Sequence, residues 1–458
     1  MGQNVPKTVI FTAAVLFSSF SSVSSSFQYN TLIVNTLPSS QIFSSPEPGS
    51  LTSTVFDSIT SLTVHLSHVD ALSSFSDASP LELFNLRLRR DSLRVKTPRS
   101  PGGFSGAVIS GLSQGSGEYF MRLGVGTPAT NVYMVLDTGS DVVWLQCSPC
   151  KVCYNQSDPM FNPAKSTTFA TVPCGSSLCR RLDESSSECV NRGSKTCLYQ
   201  VSYGDGSFTM GDFSTETLTF HGARVDHVAL GCGHDNEGLF VGAAGLLGLG
   251  RGGLSFPSQT KNRYNAKFSY CFVDRTSSGS ASKPPSTIVF GNDAVRETSL
   301  DTFYYLQLLG ISVGGSRVRG VSESQFKLDP TGDGGVIIDS GTSVTRLTRP
   351  AYVAFRDAFL LGATRLKRAP SYSLFDTCFD LSGMTTVKVP TVVFHFSGGD
   401  VSLPASNYLI PVNTQGRFCF AFASTMGSLS IIGNIQQQGF RVAYDLVGSR
   451  VGFMSGAC

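Results

Sequence analysis

A six-residue motif occurs twice in the chain, 202 residues apart, and each copy joins an apolar strand to an acidic turn. Residues 135–140 read Val-Leu-Asp-Thr-Gly-Ser, and residues 337–342 read Ile-Ile-Asp-Ser-Gly-Thr. Two apolar residues and a glycine follow each copy, at 246–248 and 431–433. A single Asp-x-Gly sequence is typical of an ordinary turn. Two copies in the same sequence context indicate a functional motif much more strongly. The repeat therefore predicts two pseudosymmetric lobes, each with one aspartate at the end of a strand.

The two aspartates of the repeat, Asp137 and Asp339, are the predicted catalytic residues. If the two turns face each other, both carboxylates can reach one water molecule. Like charges at that distance do not both ionise easily, so the pair shares a proton. One carboxylate can then act as a general base and the other as a general acid. Hydrolysis of an amide bond without a covalent intermediate requires this arrangement.

The chain from residue 117 onward is predicted to be mainly β. Short strand-like runs separated by glycines recur to the end, with the clearest at Glu118–Gly126, Leu230–Gly231, Ser286–Phe290, Tyr304–Val313, Thr391–Phe396 and Arg441–Tyr444. The clearest helix is predicted over Arg349–Leu361, with Tyr352, Phe355 and Phe359 on one face. Charged residues make up only 15% of the chain and hydrophobic residues 41%, which argues against a wholly disordered protein.

A β-hairpin is predicted around Tyr203. Residues 200–203 alternate, residues 204–207 read Gly-Asp-Gly-Ser, and Phe208–Phe220 returns as a second strand. Taken alone, Tyr203 is an ordinary hairpin aromatic. Trp144, the only tryptophan, is equally consistent with core packing.

Together these motifs resemble the pepsin-like aspartic proteases, in particular those of the plant nepenthesin type, over about residues 117–458. The resemblance implies a bilobal fold with a catalytic cleft between two β lobes. It implies that Tyr203, followed by Gly204 and Asp205, lies on a flap over the cleft, and that Trp144 orients the tyrosine hydroxyl. It also implies an acid-active endopeptidase that uses no cofactor and no metal. The chain contains no saposin-like insert, so the typical vacuolar plant enzyme is the poorer match.

The resemblance also assigns supporting roles to the residues beside each aspartate. Thr138 and Ser340 would clasp the two lobes together, and Ser140 and Thr342 would bond the outer carboxylate oxygens. Gly139 and Gly341 belong to the same two turns. Ser340 stands where the family more often has threonine, which is a mild departure because the hydroxyl is kept.

The first hundred residues are predicted to be removed in stages. Residues 1–26 resemble a secretory signal with a short apolar run, and residues 27–105 are predicted to form a prosegment. The N-terminal lobe is predicted at 106–300 and the C-terminal lobe at 301–458. A short helix is signalled by Ser79, Pro80 and Glu82. The basic segment that follows contains Arg87, Arg89, Arg90, Arg94, Lys96 and Arg99. It could fill the cleft electrostatically, or it could be a solvated face that aids folding.

All 12 cysteines lie between Cys147 and Cys458. An even number of cysteines behind a secretory signal predicts that they form six disulfides. The spacing of Cys147, Cys150 and Cys153 leaves a metal or iron–sulfur site as the alternative. The resemblance pairs Cys378 with Cys419 and Cys271 with Cys458. Asn155 begins the only glycosylation sequon.

Other functional classes fit the sequence less well. The net charge of +3 does not mark a nucleic-acid binder. Two Gly-x-Ser-x-Gly matches, Gly111–Gly115 and Gly310–Gly314, precede no helix-like pattern, as a serine hydrolase would require. The main alternative is a catalytically silent pepsin-like inhibitor or binding protein. We expect protein or peptide substrates, a monomer without a membrane anchor, and secretion to the apoplast or cell wall rather than the vacuole.

Overall fold

The computed structural model describes residues 27–34, 61–68, 85, 119–182, 187–189, 196–203, 207–220, 223–238, 240, 242–272, 286–291, 303–329 and 332–456. Several predicted features fall outside these ranges: the signal, nearly all of the prosegment helix, the basic segment, the flap residues Gly204 and Asp205, Cys458, and the match at 111–115. Only Asn85 of the prosegment helix is described, and it is helical.

The first part of the described chain forms thirteen strands. They are β1 (Tyr29–Ile33), β2 (Ser61–His68), β3 (Tyr119–Val125), β4 (Thr130–Asp137), β5 (Trp144–Gln146), β6 (Ala170–Thr171), β7 (Ser187–Cys189), β8 (Cys197–Ser202), β9 (Phe208–Phe220), β10 (Ala223–Glu237), β11 (Gly245–Gly248), β12 (Lys267–Cys271) and β13 (Ser286–Gly291).

The second part adds sixteen strands among the described residues. They are β14 (Tyr304–Tyr305), β15 (Leu308–Val313), β16 (Ser316–Arg317), β17 (Val336–Ile338), β18 (Thr345–Thr348), β19 (Arg368–Ala369), β20 (Cys378–Asp380), β21 (Thr386–Pro390), β22 (Val392–Phe396), β23 (Gly399–Leu403), β24 (Leu409–Pro411), β25 (Arg417–Phe420), β26 (Phe422–Thr425), β27 (Ser430–Ile432), β28 (Phe440–Asp445) and β29 (Arg450–Ser455).

Helices are few in the part of the chain that the structure describes. The α-helices are α1 (Phe256–Gln259), α2 (Lys261–Tyr264) and α3 (Arg349–Gly362), and 3-10 turns lie at Pro163–Lys165, Cys179–Arg181, Glu323–Phe326, Ala405–Asn407 and Asn434–Gln437. Helix α3 confirms the predicted helix, and its buried face includes Tyr352, Phe355 and Phe359. Pro350 occupies its first turn, where a missing N–H costs nothing.

The fold is mainly β with two lobes, as predicted. A 14-stranded sheet follows the order β29-β28-β12-β13-β2-β3-β4-β11-β5-β10-β9-β8-β7, with β6 paired to β9. The later part of the chain builds a five-stranded sheet, β14-β17-β27-β18-β26, and two four-stranded sheets. Strands β28 and β29, from the end of the chain, lie in the large sheet, so this sheet joins the two lobes.

One predicted strand is interrupted. The run Tyr304–Val313 forms β14 and β15 with a break at Leu306 and Gln307. At this break the Leu306 N–H bonds the carbonyl oxygen of Val336, whereas the carbonyl oxygen of Gln307 accepts from Ser397. The chain therefore passes from one sheet to another, and the apolar pattern does not reveal that change.

The segment 27–80, which shows no sustained periodicity in the sequence, contains two strands. Strand β1 pairs with β21, and β2 lies between β13 and β3 in the large sheet. The partners that order these strands are far away in the chain, so local sequence carries little signal for them.

Candidate active site

The two copies of the repeat form the same local structure. Strand β4 ends at Asp137 and runs parallel to β11, while β17 ends just before Asp339 and runs parallel to β27. The carbonyl oxygen of Asp137 accepts from the Leu249 N–H at 2.8 Å, and the Asp339 N–H donates to the carbonyl oxygen of Ile432 at 3.1 Å. The apolar-apolar-Gly element that follows each motif is therefore the neighbouring strand that holds each aspartate turn.

Both carboxylates are buried, and each is oriented by its own turn. The Gly139 N–H donates to Asp137 Oδ1 at 2.9 Å, and the Ser140 hydroxyl donates to Oδ2 at 2.7 Å. In the second lobe, the Gly341 N–H donates to Asp339 Oδ1 at 2.8 Å, and the Thr342 hydroxyl donates to Oδ2 at 2.7 Å. The two sites thus have matching hydrogen bonds, and both aspartates are at most 2% exposed.

Gly139 lies against both carboxylates. A Cβ atom at this position would sit 3.1 Å from Asp137 Oδ1 and 3.3 Å from Asp339 Oδ1. The two Oδ1 atoms therefore approach the same point beside the Gly139 Cα. A side chain here would crowd both acids, so glycine suits the close approach of the two aspartate turns.

Thr138 and Ser340 join the two turns directly. The Ser340 N–H donates to Thr138 Oγ1 at 3.0 Å, and the Thr138 N–H donates to Ser340 Oγ at 3.3 Å. The Ser340 hydroxyl also lies 3.2 Å from the carbonyl oxygen of Leu136, to which it donates. These buried, reciprocal bonds hold the aspartate turns of the two lobes in a fixed relation.

Sequence reasoning missed a polar layer next to these turns. The Tyr444 hydroxyl hydrogen-bonds with the Thr138 side chain and lies 2.5 Å from the Tyr270 hydroxyl. Tyr270 donates to Gln437 Oε1, and the Gln437 side-chain amide donates to the carbonyl oxygen of Asp339 at 3.2 Å. Burial raises the pKa of Tyr444 and of Tyr270, so both stay neutral. Because these residues come from distant parts of the chain, no local motif identifies them.

Tyr203 lies in a buried aromatic cluster at the end of strand β8. Its ring is 5% exposed and packs edge-on against Phe240, 5.9 Å between centroids. The Trp144 indole N–H donates to its hydroxyl oxygen at 2.5 Å. Burial and then the charges of Tyr199 and Asp137 raise the pKa of Tyr203 well above its usual value. The hydroxyl is therefore neutral and lies within electrostatic range of the first carboxylate.

Disulfides occur in both lobes, and Cys179 and Cys197 belong to the same hydrophobic cluster as Tyr203. Four are complete within the described residues: Cys147–Cys232, Cys150–Cys153, Cys179–Cys197 and Cys378–Cys419. Cys271 and Cys174 are also disulfide-bonded. Cys147 is bonded to Cys232, and Cys150 is bonded to Cys153, so none of the three offers a free thiolate to a metal. The alternative of a metal or iron–sulfur site at these cysteines therefore does not fit. Among the described residues, no group of side chains could hold a metal ion. Asn155, which begins the sequon, is exposed.

The Gly-x-Ser-x-Gly match that the structure describes lies on strand β15. Ser312 Oγ is 2.7 Å from His395 Nε2, and His395 Nδ1 is 2.7 Å from Asp400. Ser312 is inside an extended strand, not at the strand-to-helix turn that exposes a nucleophilic serine. These bonds link the neighbouring strands β15, β22 and β23.

Comparison with known protein families covers both lobes. A family described as xylanase inhibitor N-terminal matches residues 119–292, and one described as xylanase inhibitor C-terminal matches residues 303–455. In solved structures, soybean basic 7S globulin is similar with a TM-score of 0.57 at 19% identity, covering 73% of this chain and 92% of that one. A protein titled edgp also has a TM-score of 0.57, at 20% identity, covering 74% and 91%. At these identities the structures show the fold alone.

Curated relatives are more similar in sequence. Aspartyl protease family protein 2 of Arabidopsis thaliana is 63% identical, over 99% of both chains. Aspartic proteinase nepenthesin-1 of Nepenthes gracilis is 40% identical, over 87% of this chain and 91% of its own. No helix among the described residues is long and apolar enough to cross a bilayer. The two aspartate turns and the full-length relatives together show that this chain belongs to the pepsin-like aspartic protease family, of the plant nepenthesin type.

Proposed function

We propose that the protein is an aspartic endopeptidase that hydrolyses peptide bonds in acid. The observation that carries this proposal is the position of Asp137 Oδ1 and Asp339 Oδ1, both near one point beside Gly139. Both carboxylates are buried, and each keeps its turn glycine and its hydroxyl partner. An acid–base pair at this site has the geometry that two-carboxylate hydrolysis requires.

In the proposed mechanism the two aspartates share one proton. The ionised carboxylate takes a proton from water, and the water oxygen attacks the carbon of the scissile amide. The protonated carboxyl gives its proton to the carbonyl oxygen, which forms a tetrahedral intermediate. When the C–N bond breaks, a proton moves to the leaving amine and the second product is a carboxylic acid. Ser140 and Thr342 keep the two carboxylates oriented throughout, because their hydroxyls hold the Oδ2 atoms.

The substrate is proposed to be an extended peptide that lies beneath the β8–β9 hairpin. An extended segment can add to the exposed edge of a sheet through main-chain hydrogen bonds. Tyr203 would close over it, with the hydroxyl fixed by Trp144. The hydroxyl oxygen accepts a hydrogen bond from the indole N–H. Its own O–H can therefore donate a hydrogen bond to the substrate or to the dyad.

Two comparisons favour a second candidate, a catalytically silent binding protein. The matching families are described as xylanase inhibitor, and the similar structures include a soybean globulin. The enzyme is the better proposal because both aspartate turns are complete here, with all four carboxylate hydrogen bonds. Fold alone does not decide between the two.

Synthesis as a secreted zymogen belongs to the same proposal. The predicted signal, the basic segment and the many disulfides suit the secretory pathway. Asn155 is exposed beside the cysteine-rich loop and is the proposed glycosylation site.

Incubation of the purified precursor with denatured protein and a peptide library, at pH values from 2 to 7, tests the proposal. We expect internal cleavage of the substrates in acid, preceded by shortening of the precursor. Absence of cleavage by the shortened chain at every pH, together with saturable binding of a protein ligand, would favour the binding-protein alternative.

A further inference from the structure

The first strand of the described chain lies on the second lobe, away from the large sheet. Strand β1 runs antiparallel to β21, with Tyr29 opposite Pro390 and Ile33 opposite Thr386. Main-chain bonds extend the pairing at both ends. The Gln28 N–H donates to the carbonyl oxygen of Gly314 at 2.9 Å, and the Val34 N–H donates to the carbonyl oxygen of Thr385 at 2.9 Å. Main-chain hydrogen bonds therefore hold the segment from Gln28 to Val34.

The side chains of this segment alternate between the lobe and solvent. Leu32 is 4% exposed and belongs to the main hydrophobic core, whereas its neighbour Ile33 is 66% exposed. Asn30 reaches inward as well, and its amide donates to the hydroxyl oxygen of buried Tyr408 at 3.2 Å. The alternation fixes the register, because a slip by one residue would expose Leu32 and bury Ile33.

Two glycines lie directly against the Phe27 ring. A Cβ at Gly314 would lie 2.1 Å from the Phe27 ring, and one at Gly362 would lie 2.4 Å from it. Side chains at these two positions would therefore displace the ring. Gly314 also has φ +59°, which suits glycine for a second reason. The lobe thus provides a shallow aromatic site, an amide-binding position and a leucine site along one edge.

Within the described residues, β21 has no ladder partner other than β1. Without the segment 27–34, the main-chain groups of 386–390 would have no strand partner among the described residues, although Val387 and Val389 are buried. Unpaired main-chain groups of an extended strand readily accept another extended segment. The strand that pairs with β21 comes from the predicted prosegment, more than 350 residues earlier in the chain.

We propose that the β21 edge is a peptide-binding site, separate from the catalytic cleft, whose ligand is the chain's own segment 27–34. The segment is held by this site and not by its covalent link to the rest of the protein. After the chain is cut between residue 34 and the first lobe, the fragment remains attached as a non-covalent strand. The proposal does not depend on peptidase activity.

A single-cut experiment tests this binding in the full chain. A recognition sequence for a site-specific protease is placed within residues 40–55, in an Asp137→Asn background that prevents self-cleavage. After the cut, excess synthetic peptide 27–34 is added, and the loss of the original fragment is followed by gel filtration and mass spectrometry. We expect the fragment to stay with the protein during gel filtration and to exchange slowly with the peptide.

Leu32→Ser and Ile33→Ser are matched variants on opposite faces of the strand. Loss of the buried leucine should speed release of the fragment at least about tenfold, since a buried leucine side chain contributes more than one factor of ten in an equilibrium constant. The exposed isoleucine should change the rate less than about threefold. Equal release rates for the two variants, or release of the wild-type fragment as fast as that of Leu32→Ser, would overturn the proposal.

A competition measurement keeps the test valid if the Leu32→Ser protein does not fold. Here the protein is the cut chain with its natural segment, and only the competing peptide is changed. The natural peptide should displace the fragment, whereas a peptide carrying Leu32→Ser should need at least about tenfold higher concentration. Equal displacement by both peptides would contradict a specific site.

Discussion

The Trp144 indole nitrogen donates a 2.5 Å hydrogen bond to the hydroxyl oxygen of Tyr203. Both side chains are buried, and both pack edge-on against Phe240. Tyr203 is therefore part of a core cluster as well as a candidate flap residue. A truncation to alanine would cost about 3–5 kcal/mol of stability, so it could not separate the two roles.

Tyr203→Phe keeps the ring and removes only the hydroxyl. If this hydroxyl acts on the substrate, kcat/KM for peptide cleavage should fall about tenfold or more, the effect of one lost hydrogen bond to the reacting groups. Tyr352→Phe is the matched control, because it removes a 2.5 Å hydroxyl bond to Asp376 in the other lobe. Steady-state kinetics beside thermal melts should show lost activity in Tyr203→Phe alone. Similar losses of kcat/KM in both variants would indicate a purely structural role.

The bonds between Thr138 and Ser340 predict opposite results for two substitutions of Ser340. Ser340→Ala removes the acceptor of the buried Thr138 N–H and should cost about 1–3 kcal/mol in the free energy of unfolding. Ser340→Thr keeps a hydroxyl at this position and should remain near wild type. Denaturant unfolding and peptide turnover, measured on both variants, check this. If the Ser340→Ala protein were as stable and active as wild type, the hydrogen bonds between Thr138 and Ser340 would contribute to neither stability nor turnover.

Asp376 predicts a defined dependence of stability on pH. Burial alone would raise the pKa of its carboxyl, but hydrogen bonds from Tyr352, Thr377 and Arg356 lower the pKa overall. A lowered pKa in the folded state means that this group stabilises the fold above about pH 3.8, its ordinary pKa. The stabilisation is lost as the pH falls from there through the folded pKa.

The melting temperature of Asp376→Asn should therefore lie below that of wild type at pH 6 and approach it near pH 2. Asp357→Asn is the control, since Asp357 is a more exposed partner of the same arginine. Its difference from wild type should be small at every pH. A constant difference for Asp376→Asn from pH 6 to pH 2 would contradict the assignment.

The sequence predicted the features whose signals are local or duplicated. Helix α3 follows from its apolar face, and the two aspartate turns follow from the repeat. Strand β1 could not be predicted, because its ladder partner Thr386–Pro390 lies more than 350 residues away. The same reason applies to Tyr270, Tyr444 and Gln437. The contact of Tyr270 with Tyr444 depends on the pairing of β12 with β28, and no local pattern encodes that register.

The basic segment predicts a shift in precursor activation. If its cations occupy the cleft, replacing them by glutamine should produce a precursor that is active before processing or that matures at a higher pH, since the attraction to the carboxylates is removed. The replaced residues are Arg87, Arg89, Arg90, Arg94, Lys96 and Arg99. Substrate cleavage and precursor size are followed across a pH series for both proteins. Identical pH thresholds and lag times would leave the segment as a folding aid.

The most direct measurement of the central claim is peptide turnover by Asp137→Asn and Asp339→Asn proteins. Each substitution keeps the size of the side chain but removes an acid–base group, so each should leave less than about a hundredth of wild-type turnover. Asp400→Asn, at an exposed position on a separate hairpin, should remain near wild type. Thermal melts establish that all three proteins are folded. If a folded Asp137→Asn or Asp339→Asn protein kept more than about a hundredth of the turnover, the two-carboxylate mechanism would be wrong.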